Sequence, residues 1–313
     1  MGVVSMKKKV TEIVVATCRY IFLIAFSFVL LYPLLYIIVH TFQSPADYMD
    51  PTVQWVSKNY TLDNLKLGLR ISDFWAAFKQ TVLVQLVSAF IQIGSCAVAA
   101  YGMARFKFRG QKLVNVLLLL NILVPPAMIL IPSYLNFHDV DFLGILGFIG
   151  NIVGKDLTVN ILNTPWVFYL PAVFGVGLQS GLILYIFVQF FKSFPKELEE
   201  AAWIDGLGPF QTFLRVVVPS SGVVFLTVTI LSVVWHWNEY TLPSTYLTDH
   251  YPLAVKVHNA FKTFYVAGYN HFSGEVGNAV MATCFVFLLP LLIMYLILQK
   301  RFINSMTQSG IKG

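Results

Sequence analysis

Six stretches of this 313-residue chain contain no Asp, Glu, Lys or Arg: residues 20–46, 80–104, 113–137, 157–191, 216–238 and 279–299. A helix of about 20 residues crosses a hydrocarbon layer roughly 30 Å thick, and every run is long enough. A soluble fold of this size cannot bury six helices that are apolar on every side. Membrane-barrel strands would alternate apolar and polar residues, and the runs show no such alternation. Charge is scarce as well as segregated: 12% of residues are charged, against about 25% in soluble domains. The expected fold is an all-α membrane protein, one transmembrane domain over 1–313. Its six spans fall near 20–42, 80–104, 113–135, 166–191, 216–240 and 279–299.

The basic residues orient these spans. With the N-terminus inside, inner segments hold fourteen Lys and Arg, from Lys7, Lys8 and Lys9 through Arg105, Lys107, Arg109 and Lys112 to Lys300, Arg301 and Lys312. Outer segments hold seven, among them Lys58, Lys66, Arg70 and Lys155. That bias places both termini in the cytoplasm. The net charge of +6 is therefore a topology signal, with no basic soluble face for nucleic acid. The run after Lys7-Lys8-Lys9 is too long for a signal peptide and lacks a cleavage site, so it is retained as the first span. Cys18, Cys96 and Cys284 lie in or beside different spans without CxxC spacing, which fits packing rather than metal or redox chemistry.

Two features interrupt the apolar pattern. Pro125, Pro126 and Pro132 fall inside the third run, where proline kinks a helix and frees carbonyls that need another partner. Residues 138–165 mix His138, Asp139, Asp141, Lys155 and Asp156 with a Gly-rich apolar stretch too short to span, expected to lie at the outer surface.

The polar segment 192–215 between the fourth and fifth spans reads as two short helices with a glycine break. Pro195 suits a first helical turn, and Glu197, Glu199 and Glu200 suit its positive dipole end. Ala201 and Ala202 allow close approach, Gly206 can turn left-handed at a helix end, and Gly208-Pro209 restarts a helix. A solvated connection between spans could share this composition. The spacing is more specific.

Glu200-Ala201-Ala202, then Gly206, then Val216, Val218 and Pro219 resemble the EAA-x3-G-x9-I-x-LP signature of permease subunits in binding-protein-dependent ABC importers, with Val for Ile and Leu. Ala100-Tyr101 through Arg105 to Gly110 resembles their AY-x-x-AR-x4-G turn, and Pro125 with Ile131-Pro132-Ser133-Tyr134 their paired prolines. Asn59-Tyr60-Thr61-Leu62 resembles the segment before their second span. Trp237-Asn238-Glu239-Tyr240 resembles the WN-x-[FY] end of their fifth, and Gly310-Ile311-Lys312-Gly313 their Gly-x-Lys-Gly tail. The whole resembles the shorter, maltose-permease-G-like subunit of a carbohydrate importer; only 138–165 is longer than usual.

The resemblance implies the ABC importer type I permease fold in a bacterial cytoplasmic membrane. The partners it implies are a second, homologous permease subunit, a dimer of cytoplasmic ABC ATPases that hold the ATP and Mg, and an extracytoplasmic solute-binding protein. This chain itself would bind no cofactor and no metal. Coupling to the ATPase would run through Glu200, Ala201, Ala202, Asp205, Gly206 and Gly208, with Glu200 facing the ATPase cleft.

Other functions fit less well. A rhomboid-like protease needs Gly-x-Ser-Gly, and Gly177-Leu178-Gln179-Ser180-Gly181 misses that spacing. There is no His-Glu-x-x-His, the spans hold no ionisable coupling residue of a secondary transporter, and no Gly-x4-Gly-Lys-[Ser/Thr] loop is present. Asn121, Gln179 and the group Trp237, Asn238, Glu239 and Tyr240 are the candidate solute-path residues, because sugars stack on aromatic rings and hydrogen-bond to amides. For the amides, including Gln85 and Gln92, an interhelical hydrogen bond is the competing role. A non-carbohydrate solute is the alternative within the family.

Overall fold

The computed structural model describes residues 2–141, 144, 148, 152–154, 157–268 and 274–310. Ten helices carry the architecture: α1 (Gly2–Phe42), α2 (Asp63–Ile71), α3 (Val87–Arg105), α4 (Gln111–Leu123), α5 (Pro126–His138), α6 (Trp166–Val173), α7 (Ser180–Ser193), α8 (Lys196–Ile204), α9 (Gly222–Asn238) and α10 (Gly274–Gly310). Shorter turns link them, and the described residues form isolated β-bridges but no strand. The Gly-rich part of 138–165 (142–143, 145–147, 149–151 and 155–156) and the tail at 311–313 lie outside the described residues.

Among the described residues, three helical stretches are long and apolar enough to cross a membrane as single pieces: Glu12–Phe42, Phe74–Arg105 and Gly274–Lys300. The other apolar runs are broken. The expected third span divides into α4 and α5, which meet at 101°. Pro126 opens α5 and Val124 and Pro125 are extended, because a residue before proline is pushed out of the helical region. The expected fourth span divides at 174–179, where Gly175, Gly177 and Gln179 all have positive φ. The fifth turns through 80° between Pro209–Ser220 and α9, at Ser221 just after Pro219. Phe74–Arg105 stays continuous but contains a π-helical turn, Thr81–Leu86.

The described residues fall into two compact units, 1–72 with 260–288, and 73–259 with 289–313. In the first unit, buried amides close the outer end of α1. Asn64 Nδ2 donates to the carbonyls of Thr41 (3.0 Å) and Gln43 (2.7 Å), and Asn278 Nδ2 donates to the Gln43 carbonyl at 2.7 Å. These are α1's last carbonyls and the one beyond it, which no further helical turn can satisfy. α2 lies close on α10 because residue 68 is glycine: a Cβ there would sit 2.9 Å from Thr283 Oγ1 and 3.0 Å from the Ala279 carbonyl. The loop after α1 is fixed by carboxylates. Asp47 accepts from the Asn59 amide at 2.7 Å, and Asp50 from the Thr52 amide, the Thr52 hydroxyl and Lys58. The Thr52 bonds, then Lys58, hold the Asp50 carboxyl down at about 2. Its lowered value makes these contacts favour folding above the ordinary carboxylate range, an effect lost as pH falls toward 2. Trp55 of this loop packs edge-on against Tyr32, ring centroids 5.3 Å apart. The loop thus returns along α1, and the 31 residues of Glu12–Phe42 exceed what a bilayer core needs.

The second unit is built round α3. Small residues Ala97 and Ala100 let it meet α7 closely, and Phe187, Phe191, Phe213, Val217 and Val228 complete a buried core.

Removing the Asn64 amide should take this donor from the buried Thr41 carbonyl, at a cost of about 1–3 kcal/mol, and leave the Gln43 carbonyl with Asn278 Nδ2. Asn64→Ala should therefore lower the thermal midpoint of the purified protein by several degrees, while Asn64→Gln should lower it less. An unchanged midpoint for Asn64→Ala would show that the end of α1 does not depend on this amide.

Candidate functional site

The segment 192–215 folds as a helix, a left-handed stop and a second helix. α7 ends at Ser193, Phe194 is extended, and Pro195 caps α8 with Glu197 and Glu199 in the first turn. α8 ends because Gly206 adopts φ +84°. The Gly206 amide then donates to the Trp203 carbonyl and the Leu207 amide to the Ala202 carbonyl, both at 3.0 Å. That pair of bonds is the Schellman arrangement. Gly208 is extended and Pro209 starts the next helical turn.

α8 has two unlike faces. Glu199 and Ala202 are buried, whereas Leu198, Glu200, Ala201, Trp203, Ile204 and Asp205 are exposed, Ile204 to 87%. All six residues expected to meet a partner, Glu200, Ala201, Ala202, Asp205, Gly206 and Gly208, lie in this short stretch; Ala202 alone of them faces inward.

Glu199 carries a contact that sequence reasoning missed. Its Oε1 accepts from Arg105 Nε at 2.7 Å, and both side chains are almost fully buried, 3% and 7% exposed. Arg105 Nη2 donates to the Phe194 carbonyl at 2.6 Å, and its guanidinium lies 5.9 Å from the Phe194 ring centre. Tyr101 Oη donates to Glu199 Oε2 at 3.4 Å. The last turn of α3 thus holds the end of α7 and the inner face of α8 together. The sequence showed only a basic turn and an acidic helix start, with nothing to pair them.

Farther along α3, three side chains face the break between α6 and α7. Ser95 Oγ donates to the Ala172 carbonyl at 2.5 Å, Cys96 Sγ approaches the Gly175 carbonyl at 3.5 Å, and Gln92 Nε2 donates to the Leu178 carbonyl at 3.0 Å. Tyr169 Oη donates to the Leu83 carbonyl in the π-helical turn. Carbonyls freed by irregular backbone thus receive donors from neighbouring helices, as they must wherever water is excluded. Gln92 and Cys96 serve packing here; Cys18 is exposed.

The expected solute-path residues do not form one cluster. Asn121 and Gln179 are exposed, near each other through the close approach of Asn121 to Gly181. Gln179 stands at φ +54° as the cap of α7. Trp237 is 3% exposed with its ring 6.1 Å from Phe78, so its indole belongs to the core in this conformation. Glu239 accepts from the Leu242 amide at 2.9 Å, opening the turn Thr241–Tyr246. Asn238 is exposed, its Nδ2 donating to the Val234 carbonyl of its own helix. Tyr240 stacks on His258 at 4.0 Å. His236, expected among interfacial belt residues, is buried and bonds the Ser232 carbonyl at 2.9 Å.

Breaking a buried ion pair from one side leaves an uncompensated charge, at a cost of about 3–5 kcal/mol. Arg105→Met should therefore cut the yield and thermal midpoint of the protein sharply, and adding Glu199→Met should restore most of both. Equal midpoints for the single and double variants would show that the pair is not felt in folding.

Comparison with known proteins places this geometry in a family. The model of the binding-protein-dependent transport system inner membrane component matches residues 96–308, which include α3's basic end, all three broken runs and α8. A melibiose/raffinose/stachyose import permease protein from Bacillus subtilis is 30% identical over 76% of this chain and 76% of its own length. A trehalose/maltose transport system permease protein from Thermococcus litoralis is 26% identical over 93% of this chain and 94% of its own. In fold, the chain is similar to one in the crystal structure of a bacterial ABC transporter involved in the import of the acidic polysaccharide alginate, with a TM-score of 0.73, 20% identity and coverage of 93% and 98%. The chain belongs to the inner membrane components of binding-protein-dependent transport systems: a permease subunit and not an enzyme, working with a solute-binding protein and a separate ATPase.

Proposed function

We propose that this chain is one half of the translocation pathway of an ATP-driven importer for a sugar or oligosaccharide in a bacterial cytoplasmic membrane. A second, homologous permease subunit supplies the other half, and a dimer of cytoplasmic ATPases binds the ATP and Mg. The chain crosses the membrane six times, with the bent pair α4–α5 and the interrupted pair α6–α7 each serving as one crossing and both termini inside. The carbohydrate assignment rests on relatives that carry saccharide names, and a polar non-carbohydrate solute is the outcome that would replace it.

The observation that carries the coupling assignment is the outer face of α8. Leu198, Trp203 and Ile204 are exposed beside Glu200 and Asp205, with Phe210 exposed in the next helical turn, and the inner face of α8 is held by the buried Arg105–Glu199 pair. Exposed aliphatic and aromatic side chains rimmed by charge are how a protein partner is met. A helix stopped by its own left-handed turn and rooted in the membrane core is stiff enough to transmit a rigid-body movement. In this reading Glu200 faces the ATPase cleft and Gly206 sets the turn that presents the helix. Tyr240, Asn238 and Glu239 near the outer end of α9, with Asn121 and Gln179 at the helix breaks, border the solute path. Trp237 supports that end from within.

A side chain at φ +84° costs about 1–2 kcal/mol, more for a β-branched one, and nothing lies within 4 Å of a Cβ at Gly206. Gly206→Val should leave the protein membrane-inserted yet reduce ATPase copurification and transport by about tenfold. Glu200→Ala should do so more mildly, and Glu197→Ala should leave both unchanged. Unchanged copurification and transport in both Gly206→Val and Glu200→Ala would remove the docking role from α8.

Orientation has its own test. A single cysteine at Asp63 should react with an impermeant maleimide from outside the cell. Reaction from the cytoplasmic side alone would invert the topology.

A further inference from the structure

We infer that Arg105 and Glu199 are positioning residues that make α8 one rigid body with α3, so that movement imposed on α8 is delivered to the membrane core. The inference rests on the reading of α8 as the ATPase-docking helix and goes beyond it, because it concerns the hidden face. Docking uses the outer face, where Leu198, Glu200, Trp203 and Ile204 are exposed. A helix held only by its flanking turns could accept the partner and then swivel. Here the single guanidinium of Arg105 makes a 2.7 Å bond to Glu199 in α8 and a 2.6 Å bond to the Phe194 carbonyl at the end of α7. Two directed bonds from one planar group fix an angle as well as a distance. Tyr101, one turn earlier on α3, reaches the second carboxylate oxygen at 3.4 Å and packs against Phe213 with ring centroids 4.9 Å apart. The clamp therefore joins α3 to the backbone on both sides of the docking helix.

The chemistry of the pair favours geometry over adhesion. An apolar pair of similar volume would hold folding stability about as well, but it would let α8 slide or rotate on α3. The attachment also sits at the root of a continuous helix. α3 is unbroken from Val87 to Arg105 and, through Gln92, Ser95 and Cys96, holds the carbonyls at the α6–α7 break. A displacement entering at Arg105 reaches the irregular backbone of the pathway without crossing a flexible joint.

The test is a spin-label pair in the assembled importer, at Phe90→Cys on the exposed side of α3 and Glu197→Cys on α8. Phe90 and Arg105 are about 22 Å apart along the helix at 1.5 Å per residue, within range of dipolar distance measurement. With Arg105 and Glu199 present, the distance distribution should be narrow and should stay within about 2 Å on adding ATP and vanadate. In the R105M/E199M background it should broaden and move by more than 3 Å with the nucleotide, while ATPase copurification stays at the wild-type level. A narrow, nucleotide-independent distance in the double variant would overturn the inference, as would a distance that already shifts in the unaltered pair. If the double variant yields no complex, Glu199→Gln carries the test: it keeps the shape and weakens the clamp, so the same broadening is expected and its absence is fatal. Unchanged ATPase copurification in Gly206→Val and Glu200→Ala, with the clamp intact, would instead count against α8 as the docking helix. Arg105→Lys, which keeps the charge without the fork, should give an intermediate spread, a graded response that a purely stabilising pair would not produce.

Discussion

Hydrocarbon offers the backbone no hydrogen bonds, and the second unit of this protein is organised by that constraint. Inside a helix the backbone satisfies its own groups except at the ends, and among the described residues only Phe74–Arg105 lies wholly in this unit and is long and apolar enough to cross as a single stretch. The two kinks and the α6–α7 break leave carbonyls that must be met from elsewhere. α3 meets those of α6–α7, with Gln92, Ser95 and Cys96 on one face giving donors to Leu178, Ala172 and Gly175. The same helix carries Ala97 and Ala100 for close contact with α7, and ends in Arg105. One helix thus supports the irregular backbone between α6 and α7 and anchors α8.

Much of this was legible before any coordinates. Absence of charge over lengths of 20 residues and more is a direct readout of solvent, so the membrane class and all-helical build followed from counting. The ends and breaks of the helices did not, because hydropathy records which solvent a residue meets and not the direction of the chain. The run 113–135 is uncharged throughout, and only Pro125 and Pro126 mark the place where it turns by 101°. The break at 174–179 carries no proline at all. It is made by Gly175, Gly177 and Gln179 in positive φ, and Gln179 gave no advance sign of that conformation.

The site shows the same division. The glycine spacing after Glu200-Ala201-Ala202 located the left-handed stop, since few residues other than glycine adopt that backbone cheaply. What the spacing could not reveal is which acidic residue turns inward. Burial usually follows hydrophobicity, and α8 inverts it: Leu198, Trp203 and Ile204 point out while Glu199 is enclosed. A periodicity argument therefore assigns the wrong face. Arg105 lies 94 residues earlier in the chain, and with no local signal joining the two, the ion pair was invisible until the fold brought them together. Trp237, read from its sequence position as a solute-path candidate, is buried in the structure with its ring against Phe78.

A buried charge pair at this position is costly, and the expense is informative. Two ions out of water must recover several kcal/mol of lost hydration each, and well-packed apolar side chains would avoid that cost. Nothing in folding alone calls for them where Ala97, Ala100, Phe187 and Phe191 already pack without polar groups. The difference between the two ends of α3 is what they must resist. Its middle lies among helices that confine it on several sides. Its last turn holds a nine-residue helix whose other face is exposed, so that resistance to a twist has to come from the buried side. Dispersion contacts are non-directional and yield to such a twist by sliding. Hydrogen bonds from a planar guanidinium lose alignment and strength as the angle opens. The ionic clamp stands where direction has to be kept, and the apolar core where only volume has to be filled.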